Sequence, residues 1–270
     1  MLTMESRWLD VRQLDEMGSQ KTVIHQIHPC AKLVTTVIFL TVVASFAKYE
    51  VMGLLPLLLY PMVIFTLGDL PVGGILKRVL LTVPFVIFIG IFNPLFDQAP
   101  YATIGPIVLS GGWISFLSIL LRFFLAVTAA LLLVATTGMD AIGMALLKLR
   151  VPRIFVIQLL FMYRYLYVLL EEFIRTIRAH SLRSFQGEGV KPKVWGSLLG
   201  QLLLRTIDRA QRIYQAMLCR GFDGEIRMIR RRKLMRSDIA YCLGWSSFFI
   251  MVRFVNIPQW LGNLLIGGSG

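Results

Sequence analysis

Three side chains near the start of the chain, His25, His28 and Cys30, are of types that hold transition metals. His/Cys ligation of a transition metal is chemically reasonable, but no fourth ligand stands near them and Pro29 stiffens the turn. The segment therefore reads as the turn into a membrane span, with no metal site. Two arginines form a second candidate. Ser181-Leu182-Arg183-Ser184-Phe185 and Leu218-Cys219-Arg220-Gly221-Phe222 share a pattern: a small or apolar residue, arginine, a small residue, phenylalanine. Arginine offers five fixed donors and stays charged, so a tip that repeats it is a candidate for function. The plain alternative is that each merely compensates a helix C-terminus. Arg122 is the third candidate, because it lies within an apolar run and a charge inside the membrane is a functional candidate by default. It would contact a partner subunit inside the bilayer, or else snorkel outward or bond local carbonyls.

Enzymatic chemistry finds no foothold. The chain has no GxxxxGKS/T loop, no HExxH and no GxSxG. Glu171 and Glu172 are adjacent, so on a helix they do not converge on one point. Cys30, Cys219 and Cys242 are far apart and form no CxxC, which supports neither a zinc knuckle nor a disulfide framework. The expectation is a non-catalytic chain without a cofactor.

The elements that must position these residues are set by hydropathy. The 270 residues are 56% hydrophobic and 16% charged, with mean hydropathy +0.70; a soluble domain carries roughly 25% charged residues. Val51–Gly68 and Val79–Phe96 contain no charge, and Leu33–Ala47 is flanked by Lys32 and Lys48, whose stems could snorkel to the headgroups. Each run approaches the ~20 residues that cross hydrocarbon as a helix. Residues 1–30 hold Glu5, Arg7, Asp10, Arg12, Asp15, Glu16 and Lys21 and lack the apolar stretch of a signal peptide.

Charge placement then predicts orientation. Residues 136–237 hold 19 Lys and Arg against 7 Asp and Glu, nearly all of the net +13. Positive charge beside spans stays in the cytoplasm. Spans read at 31–48, 51–67, 79–96 and 113–135, with Lys77 and Arg78 in an inner loop and 97–112 in an outer loop. Four crossings return the chain to the cytoplasm where the basic segment begins. The apolar stretch 151–170 is interrupted by Arg153, Gln158 and Arg164 and followed by Glu171-Glu172. A crossing there would send the arginine-rich remainder outside, so it is read as an amphipathic helix at the inner interface. A last crossing at 239–257, with Arg253 near its outer end, leaves outside a tail ending Gly267-Gly268-Ser269-Gly270.

Within the basic segment, no proline or glycine falls between Pro152 and Phe185, which predicts one helix of about 50 Å. Gly187, Gly189 and Pro192 break it. A second helix is predicted from about Val194 to Arg220. One face carries Leu199, Leu203, Ile207, Ala210, Tyr214 and Met217; the other carries Arg205, Asp208, Arg209 and Arg212, with Asp208 and Arg212 a supportive pair. Gly221 stands where a C-cap glycine belongs. The run Arg230-Arg231-Arg232-Lys233 with Arg236 precedes the last span and reads as an anchor on anionic lipid, not as a nucleic-acid site.

These residues resemble a known family. Ile24-His25-Gln26-Ile27-His28-Pro29-Cys30-Ala31-Lys32-Leu33 is similar to the Leu-His-Arg-Leu-Asp-Pro-Arg-Ala-Lys-Leu opening of the transmembrane T component of energy-coupling factor transporters, in its cobalt-type form, CbiQ. Met162-Tyr163-Arg164-Tyr165-Leu166 before Glu171-Glu172 fits too, as do altered versions of the family's paired Ala-Arg-Gly tripeptides, here Leu182-Arg183-Ser184 and Cys219-Arg220-Gly221. The resemblance implies two helices crossed as an X on two ATP-binding cassette subunits, each arginine docking one ATPase groove. It also implies a separate substrate-binding S component or cobalt-capture membrane subunit.

The reading is therefore an all-α polytopic membrane protein with about five transmembrane helices and a cytoplasmic module of long amphipathic coupling helices. Its parts are 1–135, 136–237 and 238–270. The expected function is that of the coupling subunit of an ATP-driven importer in the cell's inner (plasma) membrane, with its N-terminus cytoplasmic and no nucleic-acid partner. Cobalt leads as substrate on resemblance, with nickel or a vitamin such as biotin, and more remotely a membrane-embedded enzyme, as alternatives.

Overall fold

The structure is a computed structural model that describes residues 22–96, 100–104, 107–183, 192–224 and 234–254. In chain order the helices are α1 (Val23–Gln26), α2 (Pro29–Ser45), α3 (Leu59–Gly68, continuing a 3₁₀ segment Met52–Leu58), α4 (Val72–Gly90), α5 (Phe92–Phe96), α6 (Gly111–Thr137), α7 (Met139–Lys148), α8 (Arg153–Arg183), α9 (Pro192–Cys219) and α10 (Arg236–Phe254). A small antiparallel hairpin, β1 (Pro100–Ile104) with β2 (Ile107–Ser110), lies in the loop between α5 and α6. The chain is thus an all-α polytopic membrane protein with one short hairpin in a connection.

Among the described residues three helices are long and apolar enough to cross a membrane, Val72–Leu95, Gly111–Thr137 and Arg153–Arg183, and the last contains most of the stretch 151–170 that the sequence reads as interfacial. Pro29–Ser45 and Met52–Gly68 are shorter apolar helices. Leu80, Leu81, Phe85 and Phe88 on α4 are widely exposed, as lipid-facing side chains must be. Helix bounds differ from the expected spans in an instructive way. Lys77 and Arg78 fall inside α4 and not in a loop, because the chain turns earlier, at Asp69, whose backbone is left-handed (φ 49°). The last expected crossing, 239–257, overlaps α10, which is not among the helices long and apolar enough to cross, and 255–257 lie outside the described residues.

Two compact units divide the described residues, one within Met1–Ala145 and Arg232–Gly270, the other within Leu146–Arg231. In the first, aromatic rings from three elements interlock. Phe39 of α2 meets Tyr60 of α3 (centroids 4.8 Å apart) and Phe249 of α10 (5.1 Å), and Trp245 meets Tyr60 (5.0 Å). Such tilted and edge-on pairs add to the burial of each ring. The Tyr60 hydroxyl shares a hydrogen bond with Thr36 (3.2 Å), which accommodates its polar end. α6 presents Ser115, Ser118, Thr128, Ala129, Ala135 and Thr136 as buried small residues, which lets neighbouring backbones approach. At Gly90 of α4, which faces α6, a Cβ would lie 2.8 Å from Cδ2 of Phe116.

Both ends of α2 are fastened by side-chain to backbone bonds. At its start, Asp238 of α10 accepts the His28 N–H (2.8 Å), and Lys32 donates to the Thr136 carbonyl (2.7 Å). At its end, Arg253 donates to the Ser45 carbonyl (3.1 Å) and hydroxyl (3.1 Å), and Arg122 donates to the Ala47 carbonyl. These pairings make α2 and α10 parallel and α6 antiparallel to both. Lys32 therefore does not snorkel to the headgroups: it is buried at 3% exposure and serves the carbonyl end of α6, where the helix dipole favours a cation.

Candidate functional site

α8 and α9 carry the two arginine tips. α7 ends on a Schellman turn, with Val151 N–H on the Leu146 carbonyl, Arg150 N–H on that of Leu147, and Arg150 left-handed (φ 64°). Pro152 follows, and α8 then runs unbroken for 31 residues. α9 ends the same way: Phe222 N–H bonds the Met217 carbonyl (3.0 Å), Gly221 N–H bonds that of Leu218 (2.9 Å), and Gly221 sits at φ 78°. Gly221 is thus the left-handed cap that its sequence position predicts. Arg220 occupies the turn just before it, and Phe222 packs back on Phe161 of α8 (6.4 Å between centroids).

The two helices form an antiparallel pair. Phe161 faces Phe222, Glu172 takes an ion pair from Arg205 (3.0 Å), and Phe173 meets Trp195 (6.0 Å), so positions rising along α8 meet positions falling along α9. Arg220 accordingly stands near Phe161, while Arg183 ends α8. The 22 residues from Phe161 to Arg183 span ~33 Å of helix. The structure does not bring the two arginines together; it holds them at opposite ends of one brace. Leu182 (82% exposed), Arg183, Cys219, Arg220 and Gly221 are all exposed. Ser184 lies outside the described residues, as does the run 230–233.

The faces of α9 differ from the expected division. Ile207, Ala210, Tyr214 and Met217 do turn toward α8, but Arg209 and Arg212 also line the cleft between the helices. Among the described residues no ion pair joins Asp208 to Arg212. The sequence pattern missed Glu172 as the partner of Arg205, since that pair depends on how two helices cross.

Arg122 has an intramolecular role. Besides the Ala47 carbonyl it donates to the Ser118 hydroxyl (2.9 Å). Neither bond is to a local carbonyl: Ala47 is 75 positions away and belongs to the chain just after α2. At the chain start, His28 is the N-cap of α2: its ring Nδ1 accepts the Cys30 N–H (3.1 Å) and Pro29 takes the first helical position. His28 thus does what an aspartate would do at the same place. Among the described residues no group of three or more His, Cys, Asp or Glu is arranged to hold a metal ion.

A multi-pass helical membrane protein bearing a basic, exposed antiparallel helix pair is the class defined by this fold. Residues 20–230 match the family model of the CbiQ cobalt transport protein, and the chain belongs to that family. It is also 26% identical over 231 residues to an uncharacterized protein of Methanocaldococcus jannaschii, covering 82% of this chain and 78% of that one.

Proposed function

We propose that this chain is the transmembrane coupling subunit of an ATP-driven energy-coupling factor importer, with cobalt as the transported ion. In this reading Arg183 and Arg220, with Leu182, Ser184, Cys219 and Gly221 around them, each dock one of two ATP-binding cassette ATPases. A separate membrane subunit captures the substrate, and ATP is hydrolysed by the partners. The observation that carries the reading is the separation of two exposed arginines by ~33 Å of helix. Two tips so far apart suit two separate docking grooves better than one shared pocket. The ion pair between Glu172 and Arg205 and the ring contacts at both ends would let the pair move as a stiff unit.

Membership of a cobalt transport family supports the substrate class. The direction of the membrane helices supports the sidedness. α6 ends at the same end of its unit where α10 begins, since Lys32 and Asp238 fasten both to the start of α2. The chain between them must therefore cross the membrane an even number of times. α9 carries Arg205, Asp208, Arg209 and Arg212 in mid-helix and is a poor return span. Zero crossings, with α8 and α9 on the inner face, fits best. The parts 1–135 and 238–270 then form the membrane body and 136–237 the cytoplasmic module of an inner-membrane protein with its N-terminus inside.

The test is the double variant Arg183→Ala/Arg220→Ala. It should insert and fold, yet fail to co-purify with the ATPases, or bind them without ATP-driven uptake. Assembly and uptake at the wild-type rate would remove the coupling role from both arginines.

A further inference from the structure

The crossing of α8 and α9 leaves a groove of about 500 Å³, walled by Phe161, Tyr165, Leu169, Ile207, Ile213 and Tyr214. That volume lies within the roughly 300–1,000 Å³ of ligand clefts, and the lining is the usual apolar one. A second cleft of about 240 Å³ adjoins it, lined by Glu172, Arg205, Arg209 and Arg212. Val168, Leu169, Thr206 and Arg209 border both, so the basic cleft lies directly beside the apolar groove. Charge in the basic cleft is unbalanced. Glu172 is engaged by Arg205 (3.0 Å), with Arg175 at 3.9 Å, and Arg209 and Arg212 make no ion pair among the described residues. An apolar slot opening beside two guanidinium groups without an ion pair suits an acyl chain joined to a phosphate.

We propose that the groove between α8 and α9 binds an anionic phospholipid, its acyl chain against Phe161, Tyr165 and Ile213 and its phosphate on Arg209 and Arg212. Arginine suits the headgroup because its planar fork can hold two phosphate oxygens at once. Basic pockets between helices at a membrane surface recognise anionic headgroups by the same chemistry. A free phosphate would use the arginines and leave the groove unused. The lipid comes from the bilayer, so the site rests on the proposed placement of α8 and α9 at the inner face, but not on whether Arg183 and Arg220 dock an ATPase.

The full-length protein would be exchanged into nanodiscs of equimolar phosphatidylglycerol and phosphatidylcholine, then released and read by native mass spectrometry. One retained phosphatidylglycerol per chain is expected, enriched roughly tenfold over phosphatidylcholine. Arg209→Gln/Arg212→Gln should bring the two lipids near parity. Ala210→Trp fills the groove without changing charge and should lose both. Circular dichroism on each variant separates lost binding from lost fold. Arg183→Ala/Arg220→Ala should retain the lipid unchanged, so this proposal and the coupling proposal can fail independently. Equal retention of both lipids by the wild type would overturn it, as would undiminished enrichment in Arg209→Gln/Arg212→Gln. Displacement of the lipid by inorganic phosphate alone, or an acidic partner helix found in its place, would also overturn it.

Discussion

Asp238 and His28, 210 residues apart in sequence, meet through a 2.8 Å hydrogen bond from the His28 backbone N–H to one carboxylate oxygen. The other oxygen accepts the Met235 N–H (2.8 Å) and so caps the start of α10. One buried side chain, 4% exposed, thereby fixes two helix starts at the same level. Asp238→Ala leaves the buried His28 N–H and the part-buried Met235 N–H without this acceptor and should cost about 1–3 kcal/mol. Asp238→Asn retains one amide oxygen and should cost about half as much. Thermal unfolding of the purified protein in detergent measures both, and an Ala variant as stable as the wild type would refute the role.

Lys32 should be equally hard to replace. Lys32→Met keeps the stem but removes the donor to the Thr136 carbonyl, with an expected loss of about 1–3 kcal/mol. Were Lys32 a headgroup anchor instead, the methionine variant would unfold near the wild-type temperature.

Gly90 tests the packing of α4 on α6. A methyl group there meets Phe116 at 2.8 Å, so Gly90→Ala should destabilise by about 1–3 kcal/mol through overpacking. Phe116→Leu in the same chain should restore part of it, and a double-mutant cycle by thermal unfolding reads the coupling.

At the α9 tip, Gly221→Val forces a branched side chain into a left-handed backbone and should cost roughly 1–2 kcal/mol locally. Gly221→Asn should cost less, since asparagine tolerates that conformation. Because Arg220 sits in the same turn, the coupling proposal expects Gly221→Val to weaken co-purification with the ATPases as Arg220→Ala does, while Gly221→Asn stays near wild type.

For sidedness, single cysteines at 105 and 189 in a cysteine-free background should react with a membrane-impermeant reagent from opposite sides. Labelling of both from the same side would overturn the proposed topology.

What could be read from sequence was whatever is local. Gly221 announces its cap because few other residues take a positive φ, and the uninterrupted stretch after Pro152 announces α8. Arg150 gave no such sign: it adopts the glycine-like conformation without being glycine, so the end of α7 was invisible. The partners of Lys32 and Arg122 were hidden for another reason. Each bonds a backbone carbonyl, which every residue has, at a distance of 104 or 75 positions. Side-chain type identifies a donor but cannot say which carbonyl it will find. The same holds for Arg209, whose position on a helical wheel suggests an outward face until the angle of α8 across it is known.

Fastened at its first turn by Asp238 and Lys32, and at its last by Arg253 and Arg122, α2 has lost the freedom to slide along its own axis. A shift of one helical turn, ~5.4 Å, would break the bonds at both ends together. α2, α6 and α10 therefore behave as a single rigid block, and any rearrangement of the membrane body during a transport cycle has to be sought in what lies outside it. One such element is α4, with its bare, lipid-facing flank and a proline at position 84 that removes one rung of its hydrogen-bond ladder.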